Sequence, residues 1–137
     1  MKNLEKFKKR YLKNRNFKKR VQWYNLGQRR CHCCGIQMTW ENGFSDSPKQ
    51  TNRTASVEHL VPASQGGTFH MENILITCRG CNNSRGSEDW IEFVERNKFP
   101  KSEWLIARYL KAITFYKENK MKISVKNDHL TEYKMAA

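Results

Sequence analysis

The sequence predicts an α+β protein: two cysteine pairs at C-x-x-C spacing bracket short apolar strand candidates, and amphipathic helical patterns flank them on both sides. Residues 1–30 read as a basic N-terminal helix, 31–87 as a metal-braced core, and 88–137 as a helical extension with a tail. A chain of 137 residues suits one domain with a modest hydrophobic core, for which an internal metal staple is useful.

Leu4, Phe7, Tyr11, Phe17, Val21 and Tyr24 recur near helical spacing, interrupted at Asn14, while Lys and Arg fill the other faces. This predicts one long basic helix ending near Gly27. A first strand is expected from Gln37 to Trp40, and Asn42-Gly43 with the polar stretch 45–53 marks turn and loop. A second strand is expected from Ser56 to Glu58, a loop at Pro62 and Gly66-Gly67, and a third strand from Ile74 to Thr77. A short helix follows Cys78 and ends at Gly86. Ser87 is a plausible N-cap for a helix carrying Trp90, Phe93 and Val94 on one face. Pro100 breaks the chain and Ser102 can cap again. Leu105, Ile106, Tyr109, Leu110, Ala112, Ile113 and Tyr116 then form a broad apolar stripe, read as core. After about Lys120 the chain is polar and without clear period, a candidate for fraying.

Charge is concentrated at one end. Net charge is +13, and residues 1–30 hold 12 Lys/Arg against the single acid Glu5. A local field of that size attracts polyanions, so DNA is the expected partner, with RNA the alternative. Lys8, Lys9, Arg10, Lys18, Lys19 and Arg20 are the expected phosphate contacts on the helix, with Arg79 near the second cysteine pair. Asn, Gln and Tyr interrupt the apolar face, which weighs against a membrane surface. No run approaches the ~18 apolar residues of a spanning helix, and charge follows Met1 where a signal core would lie, so a cytoplasmic setting is expected. An odd number of cysteines there argues against a disulfide framework.

A C-x-x-C turn presents two thiolates from one chain reversal, and two such turns complete a tetrahedral zinc sphere. Cys31, Cys34, Cys78 and Cys81 are therefore assigned to structural Zn²⁺, tying distant parts of the chain together. His32 and Cys33 could compete for the metal, but adjacent residues point apart, which leaves Cys33 as a spare thiol.

Between and after the pairs run Glu58-His59-x-x-Pro62-x-Ser64-x-Gly66-Gly67, Asn73-Ile74-Leu75 and Cys81-Asn82-x-x-Arg85-Gly86. With Cys31-x-x-Cys34-Gly35, this pattern resembles the HNH nucleases over residues 31–87. The resemblance implies a ββα-metal core, His59 as general base, Glu58 as a metal-binding acid, Asn73 as the central Asn, and Asn82 as the last metal-binding position. The chemistry agrees. A neutral imidazole can take a proton from water near physiological pH, and a carboxylate with an amide oxygen suits Mg²⁺ or another divalent cation. Glu58 and His59 adjoin, so a regular strand would point them to opposite faces and must bend or end there. In the resemblance Asn73 bridges the Gly66-Gly67 loop and holds the imidazole. Asn82 and Arg85, three apart, share a helical face, from which Arg85 is expected to contact a phosphate. The chain departs from the family's commoner residues at Arg85, where Lys is more usual, and at Glu58, where Asp is. His70 and His129 are given no role.

The resulting expectation is a metal-dependent DNA endonuclease, a hydrolase of a size suited to a phage or mobile element and acting in the host cytoplasm if phage-encoded. The alternative is a zinc-containing nucleic-acid-binding module with little or no catalysis. One cation site cuts one strand per encounter, so double-strand cleavage would need a homodimer or two visits.

Overall fold

Valines, isoleucines and leucines on either side of the Gly-rich loop favour extended chain, and they pair with each other. The computed structural model describes residues 15–40 and 51–125. In it, β1 (Ala55–His59) and β2 (Ile74–Cys78) form a two-stranded antiparallel sheet, registered from Ala55 opposite Cys78 to His59 opposite Ile74. All five β2 residues are buried. The helix α1 (Arg15–Asn25) packs on both strands and stops just before Gly27, whose φ of 90° ends it as expected. Leu4, Phe7, Tyr11 and Asn14 lie outside the described residues, as do Asn42-Gly43, most of the 45–53 loop, His129 and the end of the tail.

The short helix α2 (Arg79–Arg85) leaves β2 without a break and packs back on both strands, so the described core is the ββα unit. Beyond it, α3 (Trp90–Asn97) and α4 (Ser102–Glu118) pack on each other. Trp90, fully buried, donates from Nε1 to the Leu105 carbonyl at 2.9 Å and locks the pair. α4 also packs on the one-turn 3₁₀ helix Met71–Asn73 that precedes β2. One buried cluster joins Leu60, Val61 and the β2 residues to Trp90, Phe93, Leu105, Tyr109 and Tyr116.

Three expectations need correction. Gln37–Trp40 is no ladder strand: among the described residues it makes only isolated bridges, Arg30 with Gln37 and Thr39 with Thr54. The outer edge of β2 is instead covered by His32, whose N–H donates to the Ile76 carbonyl at 3.1 Å while its Nδ1 accepts from the Ile76 N–H at 3.0 Å. Ser87 does not cap α3. Asp89 does, its carboxylate accepting from the Glu92 N–H at 3.1 Å, because the helix begins two residues later than the Ser87 pattern implies. Ser102 does not cap α4 either, since its hydroxyl donates to the Phe99 carbonyl at 2.7 Å.

The loop after β1 is drawn tight by one glycine. A Cβ on Gly67 would sit 1.7 Å from the Val61 carbonyl oxygen, so only glycine lets the chain close here.

Candidate active site and metal centre

The two C-x-x-C turns meet at the sulfur atoms. The four Sγ of Cys31, Cys34, Cys78 and Cys81 all lie within 4.8 Å of one another, and Cys34 to Cys78 is 3.7 Å. Tetrahedral zinc with bonds of about 2.3 Å spaces its sulfurs by about 3.8 Å, so the cluster fits the ion. Each turn is a knuckle: Cys33 and Cys34 N–H groups donate to Cys31 Sγ at 3.3 and 3.5 Å, and the Cys81 N–H to Cys78 Sγ at 3.4 Å. The last bond also caps α2, so the helix that carries Asn82 starts on one of the four clustered cysteines. Hydrogen bonds from Cys33, Cys78 and Cys81 draw Cys31 far below the usual thiol range, and the bond to Cys31 pushes Cys78 and Cys81 up. A dication relieves that competition for one negative charge. Cys33 is buried against the cluster, its thiol raised chiefly by the hydrogen bond to Cys31, and is not one of the four sulfurs.

At the opposite end of β1, a cavity of about 180 Å³ is lined by Glu58, His59, Asn82 and Arg85 among others. Glu58 and His59 reach it together because β1 ends at His59. Asn82 enters from α2, its Nδ2 donating to Ser56 Oγ and the Val57 carbonyl, both at 3.1 Å. Burial pushes the Glu58 carboxyl up to about 7, and the neighbouring Arg85 pulls the other way. Burial, then Arg85, holds His59 below its ordinary value, so the imidazole is neutral at physiological pH. His59 Nε2 is buried without a hydrogen-bond partner among the described residues.

Arg85, expected to contact a phosphate, is held inside the fold. It is buried, pairs with Glu58 Oε1 at 2.6 Å, and donates to the carbonyls of His59, Leu60 and Glu88. Its guanidinium ties α2 to the end of β1 and to the chain beyond it, which leaves little of it for a phosphate outside.

Asn73 is fully buried and bridges the loop: Oδ1 accepts from the Val61 N–H at 2.7 Å, and Nδ2 donates to the Val61 and Thr68 carbonyls at 3.0 Å each. It makes no hydrogen bond to the imidazole. The ring against His59 is Phe69, edge-on with centroids 4.5 Å apart. Nothing in the sequence pattern singles out Phe69; an aromatic two residues past the Gly-Gly pair is the available signal. Ser56, which positions Asn82, escapes the sequence pattern likewise.

Among the basic residues, Arg20 and Arg79 line a polar cavity of about 220 Å³ with Asn16, Asn82 and Asn83, next to the first and sharing Val57 and Asn82 with it. Lys18 and Lys19 are half-buried on α1, and burial lowers Lys19 from the usual lysine value. Lys8, Lys9 and Arg10 lie outside the described residues. His70 is exposed and caps the 3₁₀ turn through Nδ1, stacking on Phe115.

Residues 46–91 match the family model of the HNH endonucleases. That segment contains Glu58, His59, Asn73, Cys78, Cys81, Asn82 and Arg85, while Cys31 and Cys34 lie before it. This segment, similar to the HNH endonucleases, sits in an α+β setting with a four-cysteine cluster compatible with zinc. No curated protein and no solved structure matched the chain. No described helix is long and apolar enough to cross a membrane.

Proposed function

We propose that the protein is a metal-dependent endonuclease that hydrolyses DNA phosphodiester bonds at the cavity shared by Glu58, His59 and Asn82. The observation that carries this reading is the convergence of a neutral imidazole, a carboxylate and an amide on one cavity from two adjoining elements. His59 takes the proton of the attacking water, and its neutral state at physiological pH equips it for that. Glu58 has one carboxylate oxygen on Arg85 and offers the other; Asn82, with its amide nitrogen spent on Ser56 and Val57, offers its oxygen. A divalent cation held there, Mg²⁺ or a similar hard ion, would offset charge developing on the phosphate and the leaving oxygen. Asn73 keeps the loop after β1 closed and Phe69 fixes the imidazole plane, so both act as positioning residues.

One observation favours the alternative, a binding module with little catalysis: the Glu58–Arg85 ion pair already satisfies part of the carboxylate inside the fold. Incubating the zinc-loaded protein with supercoiled plasmid across several divalent metals separates the two. Nicked or linear product is expected with wild type, and a loss of roughly 10²–10⁴-fold in His59→Ala with zinc content and DNA affinity retained. Cleavage by His59→Ala within a few-fold of wild type would remove His59 as the base, and no cleavage by wild type with any metal would leave the binding module.

A further inference from the structure

A larger cavity, of about 430 Å³, lies where the first zinc knuckle meets the end of α1 and the start of α4, and it shares no lining residue with the cavity at Glu58 and His59. Three aromatic rings wall it. Trp23 meets His32 edge-on at 4.7 Å, and His32 stacks with Trp104 at 5.4 Å and 27°. The rings are held in place: His32 is tied to the edge of β2 through Ile76, and its ring is fixed between those of Trp23 and Trp104. Trp104 is nevertheless 41% exposed, unlike nearly every other large apolar side chain described. Trp23 Nε1 is a buried donor without an acceptor among the described residues.

The charge of the lining selects the ligand. Aromatic boxes attract cations, but the exposed charges in this lining are Arg30 and Lys101, while the Cys31 sulfur is buried in the four-cysteine cluster. Flat rings with adjacent exposed cations suit a planar heterocycle attached to a phosphate. The volume is within the ~300–1,000 Å³ of sites that enclose small organic groups.

We propose that this cavity takes an unpaired nucleobase of the nucleic acid substrate, stacked on Trp104, with its backbone phosphate against Arg30 and Lys101. The proposal rests on the nuclease reading above. α1 connects the two places: Asn16, Arg20 and Trp23 follow one another at four- and three-residue spacing on one helical face. The first two line the polar cavity that adjoins the cleavage site, and Trp23 lines the aromatic one. From Asn16 to Trp23 the helix rises roughly 10 Å, about three base steps of a strand. The nuclease would thereby prefer substrates with single-stranded character beside the cut.

The test is the affinity of zinc-loaded full chain, without added magnesium, for a blunt duplex and for the same duplex carrying a short single-stranded thymidine tail. Wild type is expected to bind the tailed form about ten-fold more tightly or better. Trp104→Ala should lose most of that gain, Trp104→Phe should keep it, and neither should alter blunt-duplex affinity or zinc content. Lys101→Glu should weaken tailed binding while leaving every ring in place. Equal wild-type affinity for the two duplexes, or a Trp104→Ala variant that keeps the preference, overturns the base pocket even if plasmid is cut. Loss of self-association in Trp104→Ala with tail preference intact overturns it as well, since the cavity would then seat a second copy of the chain. A wild type that neither binds nor cuts DNA overturns the nuclease reading along with it.

Discussion

The cysteine centre and the end of β1 lie at opposite ends of the same sheet, and α2 supplies Cys81 to one and Asn82 to the other, yet they are finished in opposite ways. At the cysteine centre four like ligands converge within 4.8 Å, and each knuckle's N–H groups already point at sulfur. At the end of β1 the carboxylate and the amide are already shared, and the imidazole is not. Glu58 is held by Arg85, Asn82 by Ser56 and Val57, while the Nε2 of His59 is buried with no partner among the described residues. The first arrangement suits an ion that stays; the second suits groups that must remain available to a substrate and exchange partners during a reaction.

The sharpest way to break this contrast is at the brace. Cys78→Ser removes one of the four sulfurs proposed to hold zinc and, with it, the sulfur that caps α2. Zinc, about one per chain in wild type, should be lost, and with it a large part of a folding free energy of roughly 5–15 kcal/mol. Elemental analysis and thermal unfolding check both. A folded, active, zinc-free wild type would dissolve the distinction between the two regions.

Next in size is Arg85→Leu. Removing one partner of a buried ion pair strands Glu58 and three carbonyls, and should destabilise by about 3–5 kcal/mol, read from denaturant unfolding. If Arg85 were instead chiefly a phosphate contact, stability would barely change and DNA affinity would fall.

Acidity gives a finer test. His59 is held below its ordinary value, so at saturating cation its limb in the single-turnover rate should fall only below the usual histidine range. Glu58, raised to about 7, is protonated and a poorer ligand below that pH, so at subsaturating cation the rate should decline through about pH 7. Coincident profiles at high and low cation would show that Glu58 does not hold the ion.

The smallest expected effect is on binding. Neutralising Lys18, Lys19 and Arg20 should weaken duplex affinity for all sequences alike and flatten the salt slope by about 0.9 for each phosphate that is no longer neutralised. An unchanged slope would make the described part of α1 a packing element alone.

Much of this architecture is legible in the order of the residues. Cysteine spacing, the Glu-His pair, the Gly-Gly loop and the helical stripes are local patterns, and local patterns constrain turns, periodicity and ligand type. They do not say which long side chain is drawn inside. Arg85 reads as a phosphate contact from the face it shares with Asn82, and only the packing of that helix across the end of β1 puts four hydrogen-bond acceptors around its guanidinium. Asn73 reads as the residue that holds the imidazole; the tight closure at Gly67 turns its amide to Val61 and Thr68 and brings Phe69 to His59 instead. His32 is set aside as a zinc ligand from its place beside Cys31, but only the docking of the knuckle on β2 makes its ring the partner of Ile76. Each of these outcomes depends on contacts between residues far apart in the chain, whose geometry is set by sheet register and helix docking and leaves no mark at the level of neighbouring residues.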